Sequence, residues 1–578
     1  MEMVNITIDG LKTQVPKNYT ILEAAKSLNI NIPTLCFLKG LNEVGACRMC
    51  VVEVQGARTL QASCVLPVSE GMVVRTNSPV VLEARRTVLE LILARHEREC
   101  LTCSRNLNCE LQKLCEEMGI DKVRYEGERI KYRLDEASPS VVRDQNKCIL
   151  CGRCIAVCKK IQHTGAIDFA GRGVRTTVTT PYNKGLSEVS CINCGQCIKI
   201  CPVGALREKD DTQKVWDAIA NPDLHVVVQT APAVRVALGE EFGMQIGTNV
   251  EGKMISALKR LGFDKVFDTD FSADLTILEE GTELINRIKG GGKLPLITSC
   301  SPGWIKFCEH NYHEFLDNLS SCKSPQQMFG AVAKSYYAEK TGIDPHKIFV
   351  VSVMPCTAKK YEAGRDELNV DGLRDVDAVI TTRELAKMIK QARIDFTALS
   401  DSSYDSILGD STGAAVIFGT TGGVMEAALR TVADVLSGQD LKEIEYTPVR
   451  GMEGIKEASV NISGMDIKVA IAHGTGNAAK LLDSIKNGEA NYHFIEVMAC
   501  PGGCINGGGQ PIIIDKEKTE EVKKLRAQGL YSIDRGRKYR KSHENPEIKS
   551  LYEEYLEEPN SHKAHHLLHT HYVKRNRV

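Results

Sequence analysis

Apolar and polar positions alternate along residues 3–15, with Val4, Ile6 and Ile8 in step and Gly10 turning the chain. A period of two predicts a strand and the start of a hairpin. Thr20-Ile21-Leu22-Glu23 is a capping-box pattern that opens a short helix. Residues 79–96 carry a helical pattern rich in Leu, Val, Ala and Arg, and residues 119–145 are charged and read as a connecting surface segment. From about residue 210 short apolar runs alternate with helical patterns. Strands are predicted at 224–230, 293–299, 347–353, 376–381, 414–419, 467–473 and 492–498, which together read as doubly wound α/β. Past about 520 the chain turns polar and helical, over 517–530, 542–557 and 562–572.

At 578 residues the chain holds several domains. Its net charge of −1 implies no nucleic-acid partner. The amino terminus lacks a basic segment followed by an apolar one, and no apolar run approaches the ~20 residues of a membrane span. A cytoplasmic location, with no membrane partner, is the expectation. The 22 cysteines change the reading most. In a reducing compartment they are not disulfides, and metal is their natural use.

Three of the apolar runs end in cysteine motifs: Thr298-Ser299-Cys300-Ser301-Pro302-Gly303-Trp304, Met354-Pro355-Cys356-Thr357-Ala358-Lys359-Lys360, and Met498-Ala499-Cys500-Pro501-Gly502-Gly503-Cys504 followed by Gly507, Gly508 and Gly509. Glycine lets backbone approach a bulky object closely. Ligands of open α/β sheets collect outside the carboxyl ends of strands, so the three motifs point at one site. The bland alternative is three unrelated core thiols.

Upstream, Cys36, Cys47, Cys50 and Cys64 follow the logic of a [2Fe–2S] ferredoxin, with a zinc site as the alternative. His96 and Cys100 share a helix face at i, i+4, with Cys103 and Cys109 close behind; Cys115 reads as structural. Cys148, Cys151, Cys154 and Cys158 repeat as Cys191, Cys194, Cys197 and Cys201-Pro202. This is the bacterial two-cluster pattern, in which the fourth Cys of each run ligates the other cluster. Two glycine-rich turns, Gly419-Thr420-Thr421-Gly422-Gly423 and His473-Gly474-Thr475-Gly476, lack the acidic residue of a dinucleotide fingerprint and read as tight packing. Six of the 14 histidines lie after residue 540. His562, His565, His566, His569 and His571 fall in a helical pattern that reads as part of a belt around the catalytic domain.

The three strand-end motifs resemble the signature motifs of the [FeFe]-hydrogenases, and the resemblance covers essentially the whole chain. It is nearest to the clostridial type with accessory ferredoxin-like domains. It implies a β-grasp [2Fe–2S] domain (1–78), a His/Cys3 [4Fe–4S] domain (79–118), a two-[4Fe–4S] ferredoxin domain (138–210), a doubly wound α/β catalytic domain (211–520) and a small-subunit-like helical tail (521–578). The fold class is thus multidomain α+β and α/β. His96, Cys100, Cys103 and Cys109 resemble the family's His/Cys3 set, giving three accessory [4Fe–4S] clusters in all.

The resemblance further implies a [4Fe–4S] cubane held by Cys356, Cys500 and Cys504. The cubane is linked, with Cys504 as bridge, to a two-iron unit bearing CO, cyanide and a dithiolate amine and supplied by maturases. Lys359 falls where the family sets a lysine against a cyanide. Pro232, Ala233, Gln326, Met354, Phe418 and Met498 fall at cofactor-lining positions. Splitting H2 needs a Lewis acid, a base and a route out for each product. Glu280, Glu283 and Arg287 stand at i+3 and i+4 steps on one helix face. Spacing alone would make that a solvated face. The family's proton order implies Cys300, Glu280, Ser320, Glu283, then the surface.

The first motif departs from the family's Thr-Ser-Cys-Cys-Pro. Register puts Cys300 at the relay position and Ser301 at that of the fourth cubane ligand. Three arrangements stay open: Ser301 ligates as an alkoxide, Cys300 moves over to ligate, or one iron is open. The expected function is reversible H2 oxidation and proton reduction, with electrons passing to ferredoxin. One alternative is the catalytic subunit of a multi-subunit, NAD-linked, electron-bifurcating hydrogenase with flavin- or NAD-binding partner subunits. Another is an H2 sensor or pure electron-transfer relative.

Overall fold

The computed structural model describes residues 2–126, 129–440, 442, 444–462 and 464–577. Val4, Ile6 and Ile8 are buried, and their strand Met3–Ile8 pairs antiparallel with Leu11–Pro16. Val51–Val54, Gln61–Ala62 and Val73–Arg75 complete a five-stranded sheet. The Thr20 hydroxyl accepts from the Glu23 N–H and the Glu23 carboxylate from the Thr20 N–H, a reciprocal cap on the helix Ile21–Ser27. The helix Pro79–Arg95 follows and stops at His96.

The ferredoxin-like region has an antiparallel pair, Val141–Arg143 with Leu206–Glu208, and two short helices, Arg153–Ala156 and Gln196–Ile200. It is stapled to the catalytic domain by buried hydrogen bonds. Gln162 Nε2 donates to the Ala499 carbonyl at 2.9 Å, Thr357 Oγ1 to the Asn193 carbonyl at 2.8 Å, and Gln196 Nε2 to the Asn506 carbonyl at 3.1 Å.

The catalytic domain has two four-stranded sheets. The first runs Lys265–Asp268, His225–Thr230, Ile348–Met354, Ala378–Thr381, all parallel. The second runs Leu296–Ile297, Phe494–Met498, Met465–His473, Ile455–Ile462, with only the last antiparallel. Helices bury their apolar faces on these sheets. The longest, Thr269–Gly290, carries Glu279, Glu280, Glu283 and Arg287 and is called the relay helix below.

Three expectations are corrected. Residues 414–419 form a helix, Gly413–Val416, and a tight turn, Ile417–Gly419, rather than a strand. Every residue there is buried, so the run shows no helical period. The predicted strand 293–299 contributes only Leu296–Ile297 to a ladder, because Pro295 has no N–H to donate. The tail helix stops at Leu568 instead of reaching residue 572. There the Thr570 N–H donates to the Ser321 carbonyl and the Lys323 N–H to the Leu568 carbonyl, so the tail forms a single antiparallel bridge, His569 with Cys322, in place of a further helical turn.

Candidate active site and cluster sites

The strand ends meet. Cys300 and Ser301 leave the strand Leu296–Ile297, Cys356 follows Ile348–Met354, and Cys500 and Cys504 follow Phe494–Met498. All five line one cavity of about 820 Å³. Pro232, Gln326, Met354, Lys359, Phe418 and Met498 line it too. Ala233 does not line it among the described residues; it is fully buried in an adjoining apolar cluster with Val236, Val416 and Leu530. One residue along from Pro232, its side chain lies beside the Gly419 turn instead.

Glycine is required in the loop. A Cβ on Gly507 would lie 2.1 Å from the Pro355 carbonyl oxygen, and one on Gly508 would lie 2.4 Å from that of Cys194. Gly503 has φ +92°. These close approaches bring Cys504 toward Cys356. Burial pushes the Cys504 thiol up to about 12, and burial with Cys500 and Cys504 raises that of Cys356. Crowded, dry thiols are poor free acids but good ligands, since a bound metal deprotonates them. Gln326 Oε1 is buried with no hydrogen-bond partner among the described residues. The residues present therefore fit a metal cluster.

Cys300 and Ser301 point different ways. After burial, Glu280 is the next largest influence raising the Cys300 thiol. The Ser301 hydroxyl accepts a hydrogen bond from the Ala499 N–H at 3.1 Å, which turns it toward the Cys500 loop. Lys359 Nζ donates to the Cys300 carbonyl at 3.1 Å, to Ser324 Oγ at 2.7 Å and to Glu362 at 2.8 Å. That network fixes an ammonium at the cavity wall.

From Cys300 a file of polar groups leads outward. Glu280 is buried, and burial with the nearby Glu283 pushes its carboxyl up to about 8. Ser320 lies close enough to Glu280 to offset part of that rise, and its hydroxyl donates to Glu283 Oε2 at 2.9 Å. Glu283 pairs with Arg287 at 2.6 Å near the surface.

The accessory cysteines also converge. Cys148, Cys151, Cys154 and Cys201 line one cavity of about 470 Å³, while Cys158, Cys191, Cys194 and Cys197 line another of about 490 Å³. Cys194 borders the active cavity as well. Burial pushes the Cys148 and Cys158 thiols up to about 11. In the first domain Cys50 and Cys64 stand with sulfurs 3.3 Å apart, and Cys47 is the largest influence raising the Cys36 thiol, so those two thiols form a second close pair. Burial lowers His96 to about 4, so its ring is neutral, and its Nδ1 is buried with no partner among the described residues. A Cβ on Gly204 would come within 2.6 Å of the Cys103 sulfur, so that thiol sits in a glycine-sized recess. Among the described residues no three His, Cys, Asp or Glu side chains converge on a point for a single metal ion. Thiols spread around cavities of this size suit clusters rather than zinc.

Sequence reasoning missed Glu279, Glu362, Ser324 and the contribution of Cys194 to the active cavity. Adjacent glutamates directly after the mostly apolar run Leu275–Leu278 were a signal for the first; the others are set by long-range packing.

Residues 224–508 match the iron only hydrogenase large subunit, C-terminal domain, and residues 520–575 the iron hydrogenase small subunit. Residues 1–79 match a 2Fe-2S iron-sulfur cluster binding domain, 85–124 the NADH-ubiquinone oxidoreductase-G iron-sulfur binding region, and 147–205 a 4Fe-4S dicluster domain. The chain is 52% identical over its whole length to the whole of the NADP-reducing hydrogenase subunit HndD of Solidesulfovibrio fructosivorans. It is 46% identical, over 99% of this chain and 100% of the relative, to iron hydrogenase 1 of Clostridium pasteurianum. A solved structure of a variant of [FeFe]-hydrogenase HydA1 from Chlamydomonas reinhardtii overlays with a TM-score of 0.57 at 43% identity, covering 64% of this chain and 100% of that one.

Proposed function

The chain belongs to the iron-only ([FeFe]) hydrogenases and is an oxidoreductase acting on H2 with iron–sulfur cofactors, and on that footing we propose a division of labour: protons travel by Cys300, Glu280, Ser320 and Glu283, and electrons by the accessory clusters. When bound, the two-iron unit supplies the metal at which H2 is split and the first base. Cys356, Cys500 and Cys504 hold the cubane. Lys359, fixed by Ser324 and Glu362, presents positive charge to an anionic ligand of the cofactor. Met354, Met498, Phe418 and Pro232 give the cavity a soft apolar wall that excludes water.

The observation that carries this reading is the succession of polar groups from Cys300 past buried Glu280 and Ser320 to Glu283 near the surface, with Ser320 hydrogen-bonded to Glu283. The Cys300 thiol passes its proton to the Glu280 carboxylate and is reprotonated from the cavity. A carboxyl held near 8 gives and takes protons with little bias at neutral pH, as a route used in both directions requires. The Ser320 hydroxyl takes that proton on one side and releases its own to Glu283 on the other.

Cys194 would help to hold the cluster nearest the active cavity, and the other cysteines of the ferredoxin-like, His/Cys3 and [2Fe–2S] domains would hold the rest; bound there, the clusters would supply one-electron carriers between the active cavity and the outer domains. Ferredoxin is the proposed electron partner, maturases supply the two-iron unit, and the cytoplasm, where thiols stay reduced, is the proposed location. The full-length similarity to a subunit of an NADP-reducing hydrogenase favours a second reading, the catalytic subunit of a multi-subunit, nicotinamide-linked and electron-bifurcating enzyme.

Infrared spectra of the matured protein test the site: CO and cyanide stretching bands are expected, and an active preparation without them rejects the assignment. Turnover separates the electron partners. The single chain should evolve H2 from reduced ferredoxin and not from NADH or NADPH. If it accepts electrons from neither carrier until flavin-containing subunits are added, the second reading holds.

A further inference from the structure

The proton file ends at Glu283, and its partner there cannot carry a proton onward. A guanidinium is never deprotonated in a protein. Arg287 holds the carboxylate and also donates to the carbonyls of Lys293, Asp317 and Leu319, so it is a clamp. An exit needs a group that can both accept and release a proton, and imidazole has a nitrogen free for each. Two imidazoles stand at this point, both from the tail. His569 Nδ1 lies 2.8 Å from Ser321 Oγ, and the Ser321 N–H donates to Glu283 at 3.3 Å. His569 Nε2 lies 3.1 Å from Glu279 Oε2. The His565 ring stacks on that of His569 at 4.0 Å and is exposed.

We propose that His569 and His565 form the outer end of the proton route, exchanging protons between Glu283 and solvent. The proposal rests on the route described above. Ser321 spans the gap, its N–H on Glu283 and its hydroxyl on His569 Nδ1; in the step outward, the Glu283 carboxylic acid gives its proton to a solvent water in that gap, and the water passes one of its own to the imidazole. The products are a Glu283 carboxylate, an intact water and an imidazolium; no electrons move. Glu279, one helical turn before Glu283 on the same face, stabilises that imidazolium. The ring then loses a proton to water directly or by way of His565, and proton uptake is the reverse.

The groups facing this pair are Glu279 and Glu283 from the relay helix, Ser321 from the preceding loop, and Tyr552, Asn560 and His562 from the tail. Tyr552 OH donates to Glu279 at 2.5 Å and the Asn560 N–H at 2.9 Å, so the buried carboxylate is held by three tail residues. The strand-like pairing of Leu568 and Thr570 with Lys323 and Ser321 fixes the ring's position.

The test is H2 evolution by matured His565→Gln, His569→Gln and the double variant in dilute and in imidazole-containing buffer, with Glu283→Gln alongside. Expected is a roughly tenfold or greater fall for His569→Gln and the double variant in dilute buffer, with recovery on adding imidazole. His565→Gln should fall less and recover likewise. A purely structural role would not be rescued by a diffusible base. Undiminished rates in dilute buffer for all three histidine variants, or losses that imidazole never restores, overturn the proposal. If Glu283→Gln itself keeps full turnover, the inner route is wrong; if it is inactive and unrescued while the histidine variants behave as expected, both stand.

Discussion

The hydroxyl of Ser301 accepts a hydrogen bond from the backbone N–H of Ala499, one residue before Cys500, at 3.1 Å. Its oxygen therefore already faces the loop that carries Cys500 and Cys504, the proposed cubane ligands, while the neighbouring thiol of Cys300 lies near Glu280. A serine must lose a tightly held proton to ligate, and iron–sulfur clusters prefer thiolate. Ser301→Cys is expected to raise cubane retention and shift its potential, with Cys300 left as relay. Cys300→Ala should keep a full cubane and lose turnover. If Cys300→Ala loses the cubane itself, Cys300 is the ligand. Iron content and activity, measured on both variants, decide between these outcomes.

Glu280 binds a proton in the folded protein, at about 8, that the unfolded chain releases near its ordinary value of 4.5. The folded state thus holds more protons between those values, so this residue's contribution to stability is intact below about 4.5 and lost as pH rises through 8. Glu280→Gln removes the dependence. Its unfolding free energy should fall less than that of the unsubstituted protein between pH 5 and 9, by an amount on the order of a few kcal/mol, seen as a smaller drop in thermal midpoint. Turnover should drop in both directions. An unchanged pH profile of stability would mean Glu280 is not dry.

His96→Cys replaces a neutral ligand with an anionic one. The third [4Fe–4S] cluster should be kept, with a lower potential in a redox titration followed by electron paramagnetic resonance. His96→Ala should lose that cluster's iron and slow turnover with a protein donor more than with a small artificial one. Retention of all the iron in His96→Ala would move the fourth ligand to another residue. Cys115, within electrostatic reach of Cys100 and Cys109, is the first to examine.

Gly507 has φ −57°, which alanine adopts freely, so Gly507→Ala is a purely steric test. The new methyl would meet the Pro355 carbonyl at 2.1 Å. Backbone that close must separate, at a cost on the order of 1–3 kcal/mol or more. Cubane iron and turnover should fall together while the accessory clusters' signals persist. A fully loaded, active variant would show that the loop tolerates an opening between Cys356 and Cys504.

The grouping of the ferredoxin-like cysteines around two cavities was legible, because the spacing of each Cys-x-x-Cys run keeps its thiols on one short turn wherever it lies. The strand-end cysteines were legible for a related reason, since an apolar run followed by glycines fixes where a loop begins. Gly413–Gly419 was not legible, because a segment buried on every side carries no period. That the Ala233 side chain packs in a cluster beside the cavity was not legible, because neighbours in sequence face different walls. His569 and Glu279, 290 residues apart, were invisible to local pattern, since only tertiary pairing brings the tail to the relay helix.

Cys194 stands between two cavities, and the loop beside it is stitched to the catalytic strands by Asn193, Gln196 and Gln162. The ferredoxin-like region is thus masonry as well as wiring. An engineer who cut the chain near residue 211 to obtain a minimal catalyst would also remove part of the active chamber's wall and leave the carbonyls of Ala499 and Asn506 without their donors. A replacement electron module would have to reproduce that seam, down to the side chains that cross it, before its redox properties mattered.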